Sequence, residues 1–146
     1  MPISLRPAIG QDFEFAFEAK RQALGPHILA RWNWDESFQL DLHRQRWGER
    51  PWSIIEASEV AIGTSIWERE DHIRFGEFYL LPSHQPKGIG SSLLGQVIAR
   101  SDEVTLPIRL QYLKWNPVGA LYRRHGFKLV SENEIHYFLE REPSSR

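Results

Sequence analysis

The stretch that decides the fold spans residues 80–92 and reads Leu80-Leu81-Pro82-Ser83-His84-Gln85-Pro86-Lys87-Gly88-Ile89-Gly90-Ser91-Ser92. An apolar run ends at a proline, a short polar turn follows, and two glycines one residue apart precede a helical pattern. This order predicts a strand, a tight glycine loop and the N-terminus of a helix in immediate succession. Backbone N–H groups and the positive end of the helix dipole would then converge at one place, which suits a phosphate group.

The chain around this loop has the composition of one globular domain. It has 146 residues, 41% of them hydrophobic and 25% charged, so we expect a single domain over residues 1–146, with residues 142–146 as a frayed tail.

The net charge of −1 argues against a nucleic-acid partner, because phosphate-binding surfaces need a basic excess. The absence of cysteine excludes disulfides, thiolate zinc sites and cysteine nucleophiles. No apolar run approaches the roughly 20 residues of a membrane span, and no signal-peptide core is present, so we expect a cytoplasmic protein without a membrane partner.

Upstream of the loop, the pattern predicts one strand, two helices and a three-stranded meander. Gly25-Pro26 is expected to end the first helix, and Phe38 and Leu42 are expected to share the apolar face of the second. Gly63 lies inside a predicted strand, where it either weakens the strand or marks a bulge. The predicted strands are Ile3–Arg6, Trp52–Glu56, Val60–Glu68 and His72–Leu81, and the predicted helices are Asp12–Leu24 and Asp35–Trp47.

Downstream of the loop, helices and strands alternate before a closing hairpin. The predicted helices run over Gly90–Arg100 and from Asn116-Pro117 to a stop at Gly126, and the predicted strands are Pro107–Leu113, Phe127–Val130 and Ile135–Glu140. Proline suits the first turn of a helix, and glycine suits the position after its end. The whole order, β-α-α-β-β-β-α-β-α-β-β, predicts a mixed α/β (α+β) fold with one mixed sheet.

Two segments of the chain carry motifs. The glycine loop lacks the lysine of a P-loop, and Leu93 stands where a dinucleotide fingerprint has its third glycine. What remains is Gln85-x-x-Gly88-x-Gly90, which by itself also fits a plain strand-to-helix turn. The second segment, residues 116–127, places Tyr122 in the middle of a helix, where an isolated tyrosine also fits a core position.

Together, in this order and separated by one strand, the two motifs resemble those of the GNAT superfamily of acyl-CoA-dependent N-acetyltransferases. The glycine motif is similar to the superfamily's Arg/Gln-x-x-Gly-x-Gly/Ala acyl-CoA motif, and the helix motif to its Asn…Leu-Tyr…Gly-Phe motif. The matching residues of the helix motif are Asn116, Leu121, Tyr122, Gly126 and Phe127. The resemblance extends from Ile3 to Glu140 and is nearest to small single-domain bacterial members. It implies the GNAT fold, in which two central strands splay apart.

The resemblance implies a binding site for acetyl-CoA. The pantetheine arm would bond to the backbone of Tyr79, Leu80 and Leu81, and a backbone N–H near Leu80 would be the oxyanion donor. The residues expected at the pyrophosphate loop are Gln85, Lys87, Gly88, Ile89, Gly90 and Ser91. Asn116 would bond the pantetheine or cap its helix. One residue departs from the motif: Pro86 stands where the superfamily usually has glycine, and we expect it to stiffen the loop.

The resemblance also implies catalytic residues. Tyr122 would protonate the departing thiolate, which is reasonable for a phenol of pKa about 10 and a thiolate of pKa about 8.5 if proton transfer accompanies departure. Glu77 is the candidate general base, directly or through water, and its alternative is a salt-bridged strand carboxylate. From the residues themselves, Trp32 and Trp34 are candidates to bind the acceptor through cation–π contact, together with Glu77 and His136, and the alternative for the two tryptophans is packing against the sheet. The histidines show no metal-ligand spacing, so no metal is expected.

The predicted function is transfer of the acetyl group of acetyl-CoA to a primary amine of a small molecule, peptide or protein, by direct attack in a ternary complex. The expected partners are acetyl-CoA and the amine, and the protein is expected to be a monomer or a homodimer. Two alternatives stay open. The domain would either bind acyl-CoA without turnover, as a sensor or interaction module, or bind a nucleotide and not CoA.

Overall fold

A computed structural model describes residues 3–29 and 34–144, except for the side chains of His27, Leu29, Pro86 and Lys87. The α-helices in the described residues are α1 (Phe13–Leu29), α2 (Glu36–Glu49), α3 (Ile89–Val104) and α4 (Gly119–Arg124). The strands are β1 (Ile3–Pro7), β2 (Trp52–Ala57), β3 (Val60–Arg69), β4 (Ile73–Leu80), β5 (Ile108–Leu113), β6 (Lys128–Glu132) and β7 (His136–Arg141). None of these helices is long and apolar enough to cross a membrane.

The strands form one seven-stranded mixed sheet in the order β1-β2-β3-β4-β5-β7-β6. Strand β2 pairs antiparallel with both β1 and β3, and β7 pairs antiparallel with both β5 and β6. Strand β4 pairs with β5 in parallel, at Ile73 with Ile108 and at Arg74 with Arg109. The predicted element order and the mixed α/β class are therefore confirmed.

The chain divides into two compact units, each with its own buried residues. The first unit comprises Met1–Ile66 and Glu77–Pro86, and the second comprises Trp67–Gly76 and Lys87–Arg146. In the first unit, Ala16, Trp52 and Ile66 form a buried cluster against which Ala8 and Trp47 pack. In the second unit, α3 contacts β5. The buried residues of these two elements include Leu93, Leu94, Val97, Ile108 and Leu110.

Helix α1 continues past the point where the sequence predicts its end. Pro26 lies inside the helix with its side chain exposed, so the prediction of a break at Gly25-Pro26 is wrong. Proline removes one backbone donor, but its fixed φ is compatible with a helix. Leu24 and Ile28, four residues apart, are both buried, and their packing extends the helix through the local break.

Helix α2 begins as predicted, but its buried face differs from the prediction. Asp35 is the N-cap, and its carboxylate accepts a hydrogen bond of 3.0 Å from the backbone N–H of Phe38. Phe38 is 59% exposed, so its predicted place on the apolar face is wrong. The buried position belongs instead to His43, which is 1% exposed. Its Nε2–H donates to the carbonyl oxygen of Phe13 at 3.0 Å, and its ring contacts Phe13, Phe17, Trp47 and Trp52.

Strand β3 contains a bulge beside Gly63, which is one of the two alternatives that the sequence left open. Ile55 pairs with Gly63 and Glu56 with Ala61, so Ile62 is the extra residue. The Ile62 carbonyl accepts a hydrogen bond of 2.9 Å from the Leu81 N–H. A second bulge interrupts the outer strand β6 between Leu129 and Ser131, and all five residues of β6 are exposed.

Buried His43 makes stability depend on pH. Burial lowers the pKa of His43 from its ordinary value of 6.5, and the charges of Lys20 and Arg46 act in the same direction, whereas the Phe13 carbonyl and Glu77 oppose it. Between the lowered pKa and the ordinary one, the unfolded chain binds a proton that the folded chain does not. The free energy of unfolding therefore falls as pH drops through this window.

We expect the melting temperature of the His43→Phe variant to depend less on pH than that of the native chain, between about pH 7.5 and pH 5. The difference in unfolding free energy should approach about 1.4 kcal/mol for each unit of pKa difference between the folded and unfolded states. Thermal melts across the pH series measure it. An unchanged pH slope in His43→Phe would contradict the assignment.

Candidate active site

The glycine loop ends in a helix N-terminus without a side-chain cap. A 3₁₀ turn over Pro82–Lys87 leads to Gly88, the N-cap of α3, which has a φ of 73°. This left-handed conformation favours glycine. No side chain caps the helix, and among the described residues nothing lies within 4 Å of a Cβ built at Gly88. The backbone N–H groups of Ile89, Gly90 and Ser91 lie in the uncapped first turn, an arrangement that suits an anion.

The end of β4 is held by hydrogen bonds within the first unit. The Leu81 N–H donates to β3, so this group is taken by the sheet. Successive residues of a strand direct their backbone groups to opposite edges, so the Leu80 N–H points away from β3. The carbonyl oxygen of Leu80 accepts a hydrogen bond of 3.0 Å from Nε2 of Gln85. Gln85 therefore fixes the turn that follows the strand.

Glu77 combines an unusual backbone conformation with one free carboxylate oxygen. Its φ is 44°, a region that costs a non-glycine residue about 1–2 kcal/mol. The hydroxyl of Thr64 donates to its carbonyl oxygen at 2.8 Å, which helps to hold this conformation. The guanidinium of Arg46 donates to Oε1 at 2.9 Å. Oε2 is buried and has no hydrogen-bond partner within the described part of the chain.

A buried lysine lies within electrostatic range of this carboxylate. Lys20 of α1 is 3% exposed. Burial is the main cause that lowers its pKa; Arg46 adds to the effect and Glu77 opposes it. The sequence interpretation missed this cluster of Lys20, Arg46 and Glu77. The signal was present in α1, because Lys20 follows Ala16 by four residues and Phe17 by three, and therefore lies on the apolar face.

Tyr122 is buried in the second unit at 4% exposure. Its ring contacts Tyr112 and Phe127 at centroid distances of 5.6 and 5.7 Å. Burial raises the pKa of its phenol well above the ordinary value of 10, and Tyr112 adds to the effect. The hydroxyl therefore stays protonated at neutral pH and can act as a proton donor.

The remaining predicted site residues have defined surroundings or lie outside the described residues. Asn116 accepts a hydrogen bond of 3.0 Å at Oδ1 from the Val118 N–H, so it caps the turn that precedes α4. Trp34 is half-buried and donates from Nε1 to Glu36 at 2.8 Å. The His136 ring lies 6.2 Å from that of Phe138. Trp32 lies outside the described residues.

The candidate residues are distributed over both units. The first unit holds Trp34, Glu77, Tyr79, Leu80, Leu81 and Gln85, and the second holds Lys87, Gly88, Ile89, Gly90, Ser91, Asn116, Tyr122 and His136. Among the described residues, no group of three or more histidines and carboxylates could hold a metal ion.

A comparison with protein families identifies the family of this chain. Residues 48–129, more than half of the chain, match the family described as "Acetyltransferase (GNAT) domain". The chain belongs to the GNAT family. The resemblance inferred from the two sequence motifs is therefore confirmed, and membership assigns the protein to the acetyltransferases. A search of curated proteins gave no significant match.

Several solved structures share the fold over nearly the whole chain. The PaiA N-acetyltransferase from Thermoplasma acidophilum, in complex with coenzyme A, aligns with a TM-score of 0.77 and 19% identity over 97% of this chain and 99% of that one. YjaB from Escherichia coli aligns with a TM-score of 0.75 and 13% identity over 99% and 100%. Ard1 from Thermoplasma volcanium aligns with a TM-score of 0.69 and 17% identity over 99% and 100%. Identities this low establish a common fold and leave the acceptor open.

Proposed function

We propose that this GNAT protein, as one domain over residues 1–146, transfers the acetyl group of acetyl-CoA to a primary amine of a small molecule, peptide or protein by direct attack in a ternary complex. The observation that carries the proposal is the uncapped N-terminus of α3 behind the left-handed Gly88, inside the matched family region. Its backbone donors and helix dipole fit a diphosphate without a metal. The proposal places the protein in the cytoplasm as a monomer or homodimer and requires no nucleic acid or membrane.

The residues that would hold acetyl-CoA are mainly backbone groups. The N–H groups of Lys87 to Ser91 would bind the pyrophosphate, and the edge of β4 at Tyr79 to Leu81 would bind the pantetheine arm. Gln85 would support this edge through its bond to the Leu80 carbonyl. Asn116 would border the pantetheine while capping its own turn. When bound, acetyl-CoA supplies the acetyl group as a thioester.

Two side chains would move the protons. Glu77 would take a proton from the amine at Oε2, directly or through water, since Oε1 is occupied by Arg46. Tyr122 would give its proton to the sulfur as the C–S bond breaks and the N–C bond forms. The Leu80 N–H would donate to the carbonyl oxygen on which negative charge develops. Trp32, Trp34 and His136 would border the acceptor.

Acetyl-CoA binding provides the direct test. At about 100 times its Kd, acetyl-CoA should raise the unfolding free energy by about 2.7 kcal/mol in a thermal melt. Release of free CoA thiol in the presence of an amine panel should then report turnover. Absence of any shift with millimolar acetyl-CoA or CoA would sink the proposal, and stabilisation by ATP or NAD alone would favour a nucleotide-binding domain.

A non-catalytic acyl-CoA-binding role is the second candidate. It is favoured by the Arg46–Glu77 ion pair, because this pair gives the carboxylate a structural role that does not require catalysis. Clear stabilisation by acetyl-CoA without CoA release from any amine would support this role over turnover.

A further inference from the structure

The carboxylate of Glu77 has room for one more hydrogen-bond donor. Arg46 occupies Oε1 at 2.9 Å, and Oε2 is buried without a partner among the described residues. The Glu77 side chain is 12% exposed, so little solvent replaces the missing partner. A buried carboxylate oxygen without a donor is costly, and the ammonium group of an acceptor is a suitable donor for it.

Around this carboxylate, basic groups outnumber acidic ones. Lys20 is almost completely buried, and the charges that act on its pKa are those of Glu77 and Arg46. His43, which also feels these charges, is kept neutral near pH 7 by its lowered pKa. Among the charged groups that the structure describes here, two bases therefore share one carboxylate.

Other arginines of the first unit are better compensated. Arg6 bonds both Asp12 and Glu56, and Arg21 bonds both Glu18 and Glu36. The pairing at Glu77 is the reverse of this pattern, with one acid for two bases. A surplus of positive charge therefore lies where we propose that the acceptor amine is bound.

We propose that Arg46 and Lys20 make this site select acceptor amines without a second positive charge, and favour amines that also carry a carboxylate. The inference rests on the proposed function and deepens it by naming the class of acceptor. One ammonium group satisfies Oε2. A second cation on the same acceptor would compete with Lys20 for this carboxylate. It would either be repelled by Lys20 or force Lys20 to lose its proton, and each of these effects weakens acceptor binding. An acceptor carboxylate would offset the surplus.

Matched acceptors that differ only in one terminal group test the inference. We would compare cadaverine with its two analogues in which one amine is replaced by a carboxamide or by a carboxylate. A parallel series of short peptides would carry lysine, asparagine or aspartate beside a free N-terminal amine. In whichever series reacts, kcat/KM should rise from the dication through the neutral analogue to the carboxylate, spanning about tenfold or more. Equal or faster reaction of the dicationic member would overturn the inference.

Variants of α1 separate charge selection from general effects. Lys20→Met should shrink the ratio between the carboxylate and dicationic acceptors several-fold, and its melting temperature should not fall, since it removes a buried amine. Lys20→Gln provides the same comparison if the methionine variant folds poorly. Arg21→Met, a neighbouring exposed base of α1, should leave the ratio unchanged. An unchanged ratio in both Lys20 variants would overturn the inference.

The failure of the inference is distinguishable from failure of the proposed function. Acetyl-CoA turnover with a reversed charge order would refute charge selection and leave acetyl transfer intact. Stabilisation by acetyl-CoA without CoA release from either series would refute charge selection and favour the non-catalytic role.

Discussion

Replacing Tyr122 with phenylalanine should lower kcat by about 100- to 10,000-fold, the range that a positioned general acid contributes. The substitution removes one oxygen from a buried ring whose contacts with Tyr112 and Phe127 would remain. Because burial raises the pKa of this phenol, the hydroxyl is protonated across the neutral range and is ready to donate. Acetyl-CoA affinity should change by less than about twofold, since the proposed acid acts on the departing sulfur and not on the bound ground state.

Steady-state kinetics and an acetyl-CoA titration would measure the two effects separately. Tyr112→Phe is the matched control, because Tyr112 is also buried and contacts the same ring but has no proposed role in proton transfer. It should retain most of the turnover. Equal turnover in Tyr122→Phe and the native protein would reduce Tyr122 to a packing residue.

Gly63→Ala should destabilise the protein by about 1–3 kcal/mol or more, the usual range for overpacking a filled interior. A Cβ at this position would lie 2.3 Å from the carbonyl oxygen of Tyr79 and 3.2 Å from Cα of Leu80. Both atoms belong to the backbone, so no side-chain rotation relieves the contact and β4 itself must move. Because this edge is the proposed pantetheine site, the affinity for acetyl-CoA should fall as well, by about tenfold for each 1.4 kcal/mol of binding free energy lost.

Denaturant unfolding and acetyl-CoA titration would report the two consequences. Gly76→Ala is the matched control in the same sheet, because within the described residues nothing lies within 4 Å of a Cβ built there. Its unfolding free energy should stay within about 0.5 kcal/mol of the native value. If Gly63→Ala were as stable as Gly76→Ala and bound acetyl-CoA equally well, the close approach of β3 to β4 would not constrain the site.

The parts of the fold that local chemistry determines were predictable from the sequence. The start of α2 at Asp35 and the left-handed Gly126 follow from residue types with one dominant structural use. Gly63 limited its strand to two possibilities, a weakened strand or a bulge. The two motifs together then identified the family, whereas the glycine loop alone also fitted a plain strand-to-helix turn. The roles assigned to the individual site residues remain predictions.

The parts that tertiary packing determines were not predictable in this way. Helix α1 passes through Pro26 because the packing of Leu24 and Ile28, on either side of it, outweighs one lost backbone bond. His43 occupies a buried position that a pattern of apolar residues does not register. Lys20 shares the apolar face of α1 with Ala16 and Phe17, but its charge conceals its burial. The Arg46–Glu77 pair joins residues 31 positions apart, a distance at which local periodicity carries no information.

The bulge in β6 has a consequence for how the molecule behaves at high concentration. This strand ends the sheet, and its exposed Leu129 and Val130 would otherwise offer a ready template for another chain to add a strand. An extra residue at Val130 interrupts the regular spacing of donors and acceptors along the ladder, so an incoming strand cannot stay in register over its length. The irregularity thus protects the open edge against uncontrolled polymerisation.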